Sequence, residues 1–252
     1  MALFGKKYKI GLALSGGAVR GIAHLGVMQA IIEKNINIDI LSGTSAGALA
    51  GAFYAEGYQP REILDIFSNK NVMDFFHFTF PRSGIFDTMK LKKFLSNNLH
   101  TKRIEDLKIP LIIAATNFQK GEINYFDKGI LIDSLLASSC IPFLFKTVEI
   151  DGMPYIDGGI MDNLPIDPLM GKCKKIIAVH TNPIGEKKKI QNPVQVIERT
   201  FHLAIASEID AKKNEADIFI EPDKLKEFGL FDLKKTREIF TIGYEAALIC
   251  LS

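Results

Sequence analysis

The sequence predicts a three-layer α/β fold with a central, mostly parallel sheet. Two observations lead there: a pair of consecutive strand–glycine turn–helix units near the start, and two later apolar runs of the kind shown by strands buried on both faces. A length of 252 residues allows a large core and lies within the range that α/β proteins fill as one domain, so 1–252 is read as a single domain.

The first unit is Lys9 to Leu14, a short apolar run bounded by glycine. After Gly21, the apolar positions Ile22, Leu25, Met28, Ile31 and Ile32 recur at helical spacing. The second unit repeats the pattern. Ile36 to Leu41 is β-branched and apolar, Gly43-Thr44-Ser45-Ala46-Gly47 makes a tight turn, and Ala48 to Ala55 is small and helix-prone. Ile109 to Asn117 and Lys175 to His180 are the candidate central strands. Between them, Asp127 to Cys140 reads as a helix stopped by Ile141-Pro142, and Val148 to Ile156 as a hairpin turning at Asp151-Gly152. Further helices are expected over Thr88 to Leu99, Val194 to Lys213 and Lys234 to Leu251, with no internal repeat or linker.

Composition narrows the function classes. The chain has 31 basic and 29 acidic residues, a net charge of +2, so it carries no global field for nucleic acid. Hydrophobic content of 47% and charged content of 24% describe an ordinary globular protein. Cys140, Cys173 and Cys250 are an odd set without C-x-x-C spacing, which fits a reducing compartment and argues against a thiolate metal site. The lysine-rich start is followed by too short an apolar run for a signal-peptide core, and no stretch approaches the roughly 20 apolar residues of a spanning helix. The expectation is a cytoplasmic protein that touches membranes, if at all, from outside.

Three features carry chemistry. Gly43-Thr44-Ser45-Ala46-Gly47 is a G-x-S-x-G sequence between a strand and a helix, the context a nucleophile elbow needs. Its glycines permit a sharp turn, and the following helix aims its N-terminal dipole at developing negative charge. Ser15 to Gly21, again between strand and helix, can direct successive backbone N–H groups at one point, which suits a phosphate or a tetrahedral oxyanion alike. Ala18 occupies the middle glycine position of a dinucleotide fingerprint, and no G-K-[ST] is present for a P-loop. Asp157-Gly158-Gly159 follows a strand; an aspartate there can face a pocket uncrowded, although Asp-Gly-Gly by itself is commonly only a turn.

Taken together, in this order and spacing, the motifs resemble the patatin-like phospholipases. The resemblance covers nearly the whole chain, from Leu14 to Gly21 and His24-Leu25-Gly26-Val27, through Ala137-Ser138-Ser139 with Pro142, to Gly243-Tyr244-Glu245-Ala246-Ala247. It implies a serine acyl hydrolase acting on carboxylic esters of lipids, with Ser45 as nucleophile, Asp157 as base without a histidine, and Gly16, Gly17 and Ala18 in the oxyanion loop. It implies a lipid or other acyl-ester substrate and neither cofactor nor metal. Ala18 departs from a glycine found in many members; the backbone N–H survives, provided the position does not require φ > 0. An aspartate at its reference pKa near 3.9 would be a poor base, so burial is expected to raise it.

Two alternatives stand beside this. A Ser–His–Asp esterase would use His180 or His202, since both follow Asp157 in the chain; His202 falls in a helical stretch and His180 ends a strand, so structural roles are favoured, as for His24. A non-catalytic fatty-acid or phosphate-ester binder would use the same pocket and loop. Arg20 is a candidate either to hold a lipid phosphate or to lock the loop through backbone carbonyls, the second being favoured. Phe75 to Phe80, extended by Ile85-Phe86, is a candidate lid over an acyl-chain pocket or a core cluster, and Lys187-Lys188-Lys189 reads as a solvated charge run.

Overall fold

A computed structural model describes residues 7–68, 88–142, 144–186, 193–229 and 233–252, with the backbone alone at several positions of 193–207 and at 233. The Phe75 to Phe80 segment, Ile85-Phe86 and Lys187 to Lys189 lie outside the described residues, as does the side chain of His202.

Its centre is an eight-stranded sheet among the described residues. The parallel strands are β1 (Tyr8–Leu14), β2 (Ile40–Thr44), β3 (Leu111–Asn117), β7 (Cys173–Val179) and β8 (Ile218–Ile220), paired in the order β3-β2-β1-β7-β8. Three shorter strands, β4 (Glu122–Phe126), β5 (Val148–Ile150) and β6 (Met153–Asp157), gather around the far end of β3. Helices are α1 (Ile22–Glu33), α2 (Ala46–Glu56), α3 (Pro60–Ser68), α4 (Thr88–Asn98), α5 (Leu131–Ser138), α6 (Pro193–Lys212) and α7 (Thr236–Cys250).

The period-2 alternation of strands sorts the core into two layers. Leu12, Leu14, Leu41, Ile113, Ile177 and Val179 join one apolar cluster with residues of α1, α2 and α7. Their neighbours Ala13, Ile40, Ile112, Ile176 and Ala178 join the other, closed by Leu164, Ile166, Leu169 and Ile209 of α6. This is the three-layer α/β/α arrangement, with both sheet faces covered, as parallel strands require.

Several element boundaries differ from the sequence reading. The strand expected over Ile36 to Leu41 runs instead from Ile40 to Thr44, because Gly43 and Thr44 continue the ladder opposite Ile113 and Ala114. The G-x-S-x-G turn is therefore tighter than its five residues, and α2 begins at Ala46 directly after Ser45. The helix expected over Asp127 to Cys140 shortens to Leu131–Ser138, since Gly129 takes φ 112° in a turn and Ile130 forms a bridge to Arg103. Strands β4 and β8 and helix α3 were not read from the sequence. For α3 a signal exists: Pro60 opens the first turn and Glu62 accepts the Gln59 N–H at 2.7 Å, half of a capping box.

Strand β3 decides where the site lies. From Ile113 to Asn117 one of its edges is held by β4. Since Ile113 and Ala114 also pair with β2, while Ala115 to Asn117 also pair with β6, those two strands must share the opposite edge. Strand β2 ends at Thr44 opposite Ala114, and β6 arrives antiparallel to end at Asp157 opposite Ala115. The residue before Ser45 and Asp157 itself occupy successive rungs of one ladder.

Candidate active site

Ser45 is the single residue between β2 and α2, with φ 52° and ψ −119°. A non-glycine residue at positive φ is strained, and the strain persists only because both flanking elements are pinned. Thr44 ends the ladder on one side, and on the other the Ser45 N–H donates to Ser138 Oγ at 2.8 Å. Ser138, at the end of α5, in turn donates to the Ala114 carbonyl at 2.7 Å. Its hydroxyl thus bridges the nucleophile candidate to the central strand.

Asp157 closes β6, its carboxylate accepts the Gly159 N–H at 2.8 Å, and the neighbouring Ser45 side chain favours its ionised form. Gly158 must be glycine here: a Cβ would stand 2.4 Å from the Ala114 carbonyl oxygen, so any side chain would wedge the base away from β3. Asp157 is 2% exposed and Ser45 8%. Burial pushes the Asp157 carboxyl up to about 6, against the opposing effect of Gly159 and Ser45.

The glycine-rich loop abuts this pair, since a Cβ on Gly16 would stand 3.4 Å from Ser45 Cβ. The Gly16 N–H donates to the Asn163 carbonyl at 3.0 Å. The Gly16 carbonyl accepts from Asn182 Nδ2 at 2.8 Å, Thr181 Oγ1 at 3.2 Å and Ser15 Oγ at 2.9 Å. In a planar trans peptide the next N–H points opposite to that carbonyl, so the Gly17 N–H faces away from Ser15, Thr181 and Asn182. Ala18 follows at φ 46°, in the left-handed region; the position does favour glycine, and the alanine there is strained. Thr181 and Asn182 escaped sequence reading, for nothing local marks a Thr-Asn after a strand.

Arg20 is 2% exposed and donates from Nε (2.9 Å) and Nη2 (2.5 Å) to the Phe228 carbonyl. His24 lies wholly buried on α1 with Nε2 at 2.8 Å from the Ser15 carbonyl oxygen, and burial lowers its pKa to about 4, which keeps the ring neutral. His180 directs Nδ1 to Glu221 at 2.6 Å and stacks on Phe219. Asp157 ends on the β3 edge beside Ser45, while His180 is paired with Glu221.

Among the described residues no group of three or more His, Cys, Asp or Glu is arranged to hold a metal ion, and no helix is long and apolar enough to cross a membrane. The fold thus brings a serine on a strained strand-to-helix elbow beside a buried carboxylate and a glycine-rich loop on one edge of an α/β sheet. The chain belongs to the patatin-like phospholipase family, whose model matches residues 12–170.

Lysophospholipase NTE1 of Saccharomyces cerevisiae is 25% identical over 96% of this chain, which spans 16% of that protein. An uncharacterized NTE family protein of Mycobacterium tuberculosis is 32% identical over 69% of the chain, and the match covers 49% of its length. In fold, the chain is similar to VipD from Legionella pneumophila, with a TM-score of 0.56 and 16% identity, over 98% of this chain and 67% of that one.

Proposed function

We propose that the chain is a lipid acyl hydrolase that cleaves carboxylic esters through a Ser45–Asp157 dyad and an acyl-enzyme. The observation that carries this reading is the juxtaposition of Ser45, just after the end of β2, with Asp157 at the end of β6 on the same edge of β3, its carboxyl buried so that its pKa rises to about 6. A carboxylate of that basicity is ionised at neutral pH yet basic enough to accept the serine proton as the C–O bond forms.

Asp157 takes the Ser45 proton while Oγ attacks the ester carbonyl carbon. The carbonyl oxygen becomes an oxyanion, met by the Gly17 and Ala18 N–H groups and by the N-terminal end of α2. Collapse of the tetrahedral intermediate breaks the bond to the alcohol, which leaves with the proton from Asp157, and the acyl group stays on Ser45. Water, giving its proton to the same carboxylate, then attacks the acyl carbon; the bond to Ser45 Oγ breaks, Oγ takes that proton back, and the fatty acid leaves. Family membership and the NTE1 lysophospholipase relative support a phospholipid or lysophospholipid as the ester.

A fluorophosphonate that traps activated serines, followed by a peptide map, tests the assignment. A stoichiometric adduct on Ser45, lost in Asp157→Asn, together with fatty-acid release from lysophospholipid micelles, is the expected result. A folded chain that neither labels nor turns over would make it a binding protein.

A further inference from the structure

Behind the dyad lies a polar cluster that acyl transfer does not use. Lys212, the last residue of α6, is buried, with its ammonium 2.6 Å from Asp162 Oδ1, 2.9 Å from Asp167 Oδ2, 3.1 Å from Glu208 Oε1 and 3.2 Å from the Leu164 carbonyl. Tyr125 of β4 donates to the other Asp162 oxygen at 2.5 Å. Burial opposes the charge on Lys212, but the surrounding carboxylates outweigh it and hold its pKa above the ordinary lysine value. Burial and the facing Asp162 carboxylate raise the Tyr125 hydroxyl, which therefore stays a donor. Desolvating such an ion pair is costly, and an apolar replacement of both partners is commonly as stable, so stability is a poor reason for its presence.

The backbone around Asp162 supplies a better one. The Asp162 N–H donates to the Gly158 carbonyl at 2.8 Å, and its carbonyl accepts from Thr44 Oγ1 at 2.9 Å. The carbonyl of Asn163 accepts the Gly16 N–H at 3.0 Å. Two consecutive residues thereby join the loop after Asp157, the strand end before Ser45 and the oxyanion loop. Both carboxylate oxygens of Asp162 are held, one by Lys212 and one by Tyr125, which fixes the side chain and hence its peptide.

We infer that Lys212 is a positioning residue for the dyad, acting through Asp162 to fix the separations among Ser45, Asp157 and the oxyanion loop. The inference rests on the acyl-transfer reading above. A displacement of the order of 1 Å among reacting groups costs about 100-fold in rate while leaving substrate binding largely intact, so a positioning role separates kcat from KM.

Active sites are counted by fluorophosphonate titration, so that a lower folded fraction does not pass for a slower enzyme, and kcat is expressed per titrated site. Lys212→Met is expected to lower kcat by about 10- to 100-fold with KM within about twofold. Tyr125→Phe removes a single hydroxyl and keeps the fold available if Lys212→Met does not accumulate; it is expected to lower kcat by about 3- to 10-fold, again without moving KM. Per-site kcat equal to wild type in either folded variant would overturn the inference. A wild-type chain that takes no label at Ser45 would bring down the acyl-transfer reading, and this one with it.

Discussion

Thr44 and Asp157 stand on consecutive rungs of the same edge of β3, Thr44 opposite Ala114 and Asp157 opposite Ala115. Two strands running in opposite directions end head to head there, and the residue each chain carries into the gap is Ser45 from one and Asp157 from the other. A ladder spacing of about 3.3 Å per residue sets these two strand ends next to each other.

Asp157 must be ionised to accept the serine proton, so kcat/KM is expected to rise with pH through an inflection near 6, the value to which burial pushes its carboxyl. A pH–rate profile measured from pH 4 to 8 checks this. An inflection near the reference aspartate value of about 3.9 would remove Asp157 from the role.

The same burial makes the base a liability for stability. The folded-state pKa lies above the unfolded value of 3.8, so the folded chain binds the proton more tightly, and stability falls as pH rises from about 4 through about 6. Ionised Asp157 then costs at most about 3 kcal/mol at neutral pH, from 1.36 kcal/mol per unit. Asp157→Asn is expected to be inactive yet more stable by about 1–3 kcal/mol at pH 7.5, with the gain disappearing below pH 4. Urea titrations of both proteins at the two pH values provide the comparison.

Ala18 has φ 46°, a conformation that costs a non-glycine residue about 1 kcal/mol. Ala18→Gly keeps the backbone N–H and relieves the strain, so calorimetry is expected to show Tm raised by about 2–4 °C with turnover nearly unchanged. A lowered Tm would mean that packing of the methyl group outweighs the backbone term.

Ser138 accepts from Ser45 N–H and donates to the Ala114 carbonyl. Ser138→Ala leaves both buried groups unsatisfied, a loss of about 1–3 kcal/mol, and frees the elbow on one side. Fluorophosphonate labelling of Ser45 is expected to slow by about tenfold or more. Labelling at the wild-type rate would show that β2 and α2 alone define the serine.

His180 is bonded to Glu221 and buried beside Phe219. His180→Ala is expected to lower stability by about 1–3 kcal/mol through the carboxylate it abandons, while turnover per titrated site stays within about threefold. A fall of about 10⁴-fold, of the size that follows loss of a triad member, would reinstate a histidine mechanism.

Much of this was legible in the sequence because it is local. The alternation of Leu12, Ala13 and Leu14 marks a strand with two buried faces, and the spacing of Ile22, Leu25 and Met28 a helix. Glycines at 43, 47, 158 and 159 announce sharp turns around Ser45 and Asp157, and those signals are carried within a few residues. The three-residue β8 and the half-exposed β4 offer no such pattern, since a short strand is defined by its partner and not by its own period.

What the tertiary structure alone decided is which distant groups share the site. The sequence by itself named the elbow, the oxyanion loop and the aspartate, but the register on β3 brings Thr44 and Asp157 to adjacent rungs. Asn163 accepts the Gly16 N–H, Thr181 and Asn182 hold the Gly16 carbonyl, and Lys212 reaches Asp162 from 50 residues away. The reason is physical: propensity and periodicity act over a few residues, whereas a buried hydrogen bond or ion pair is selected by whatever the packed chain places within about 3 Å.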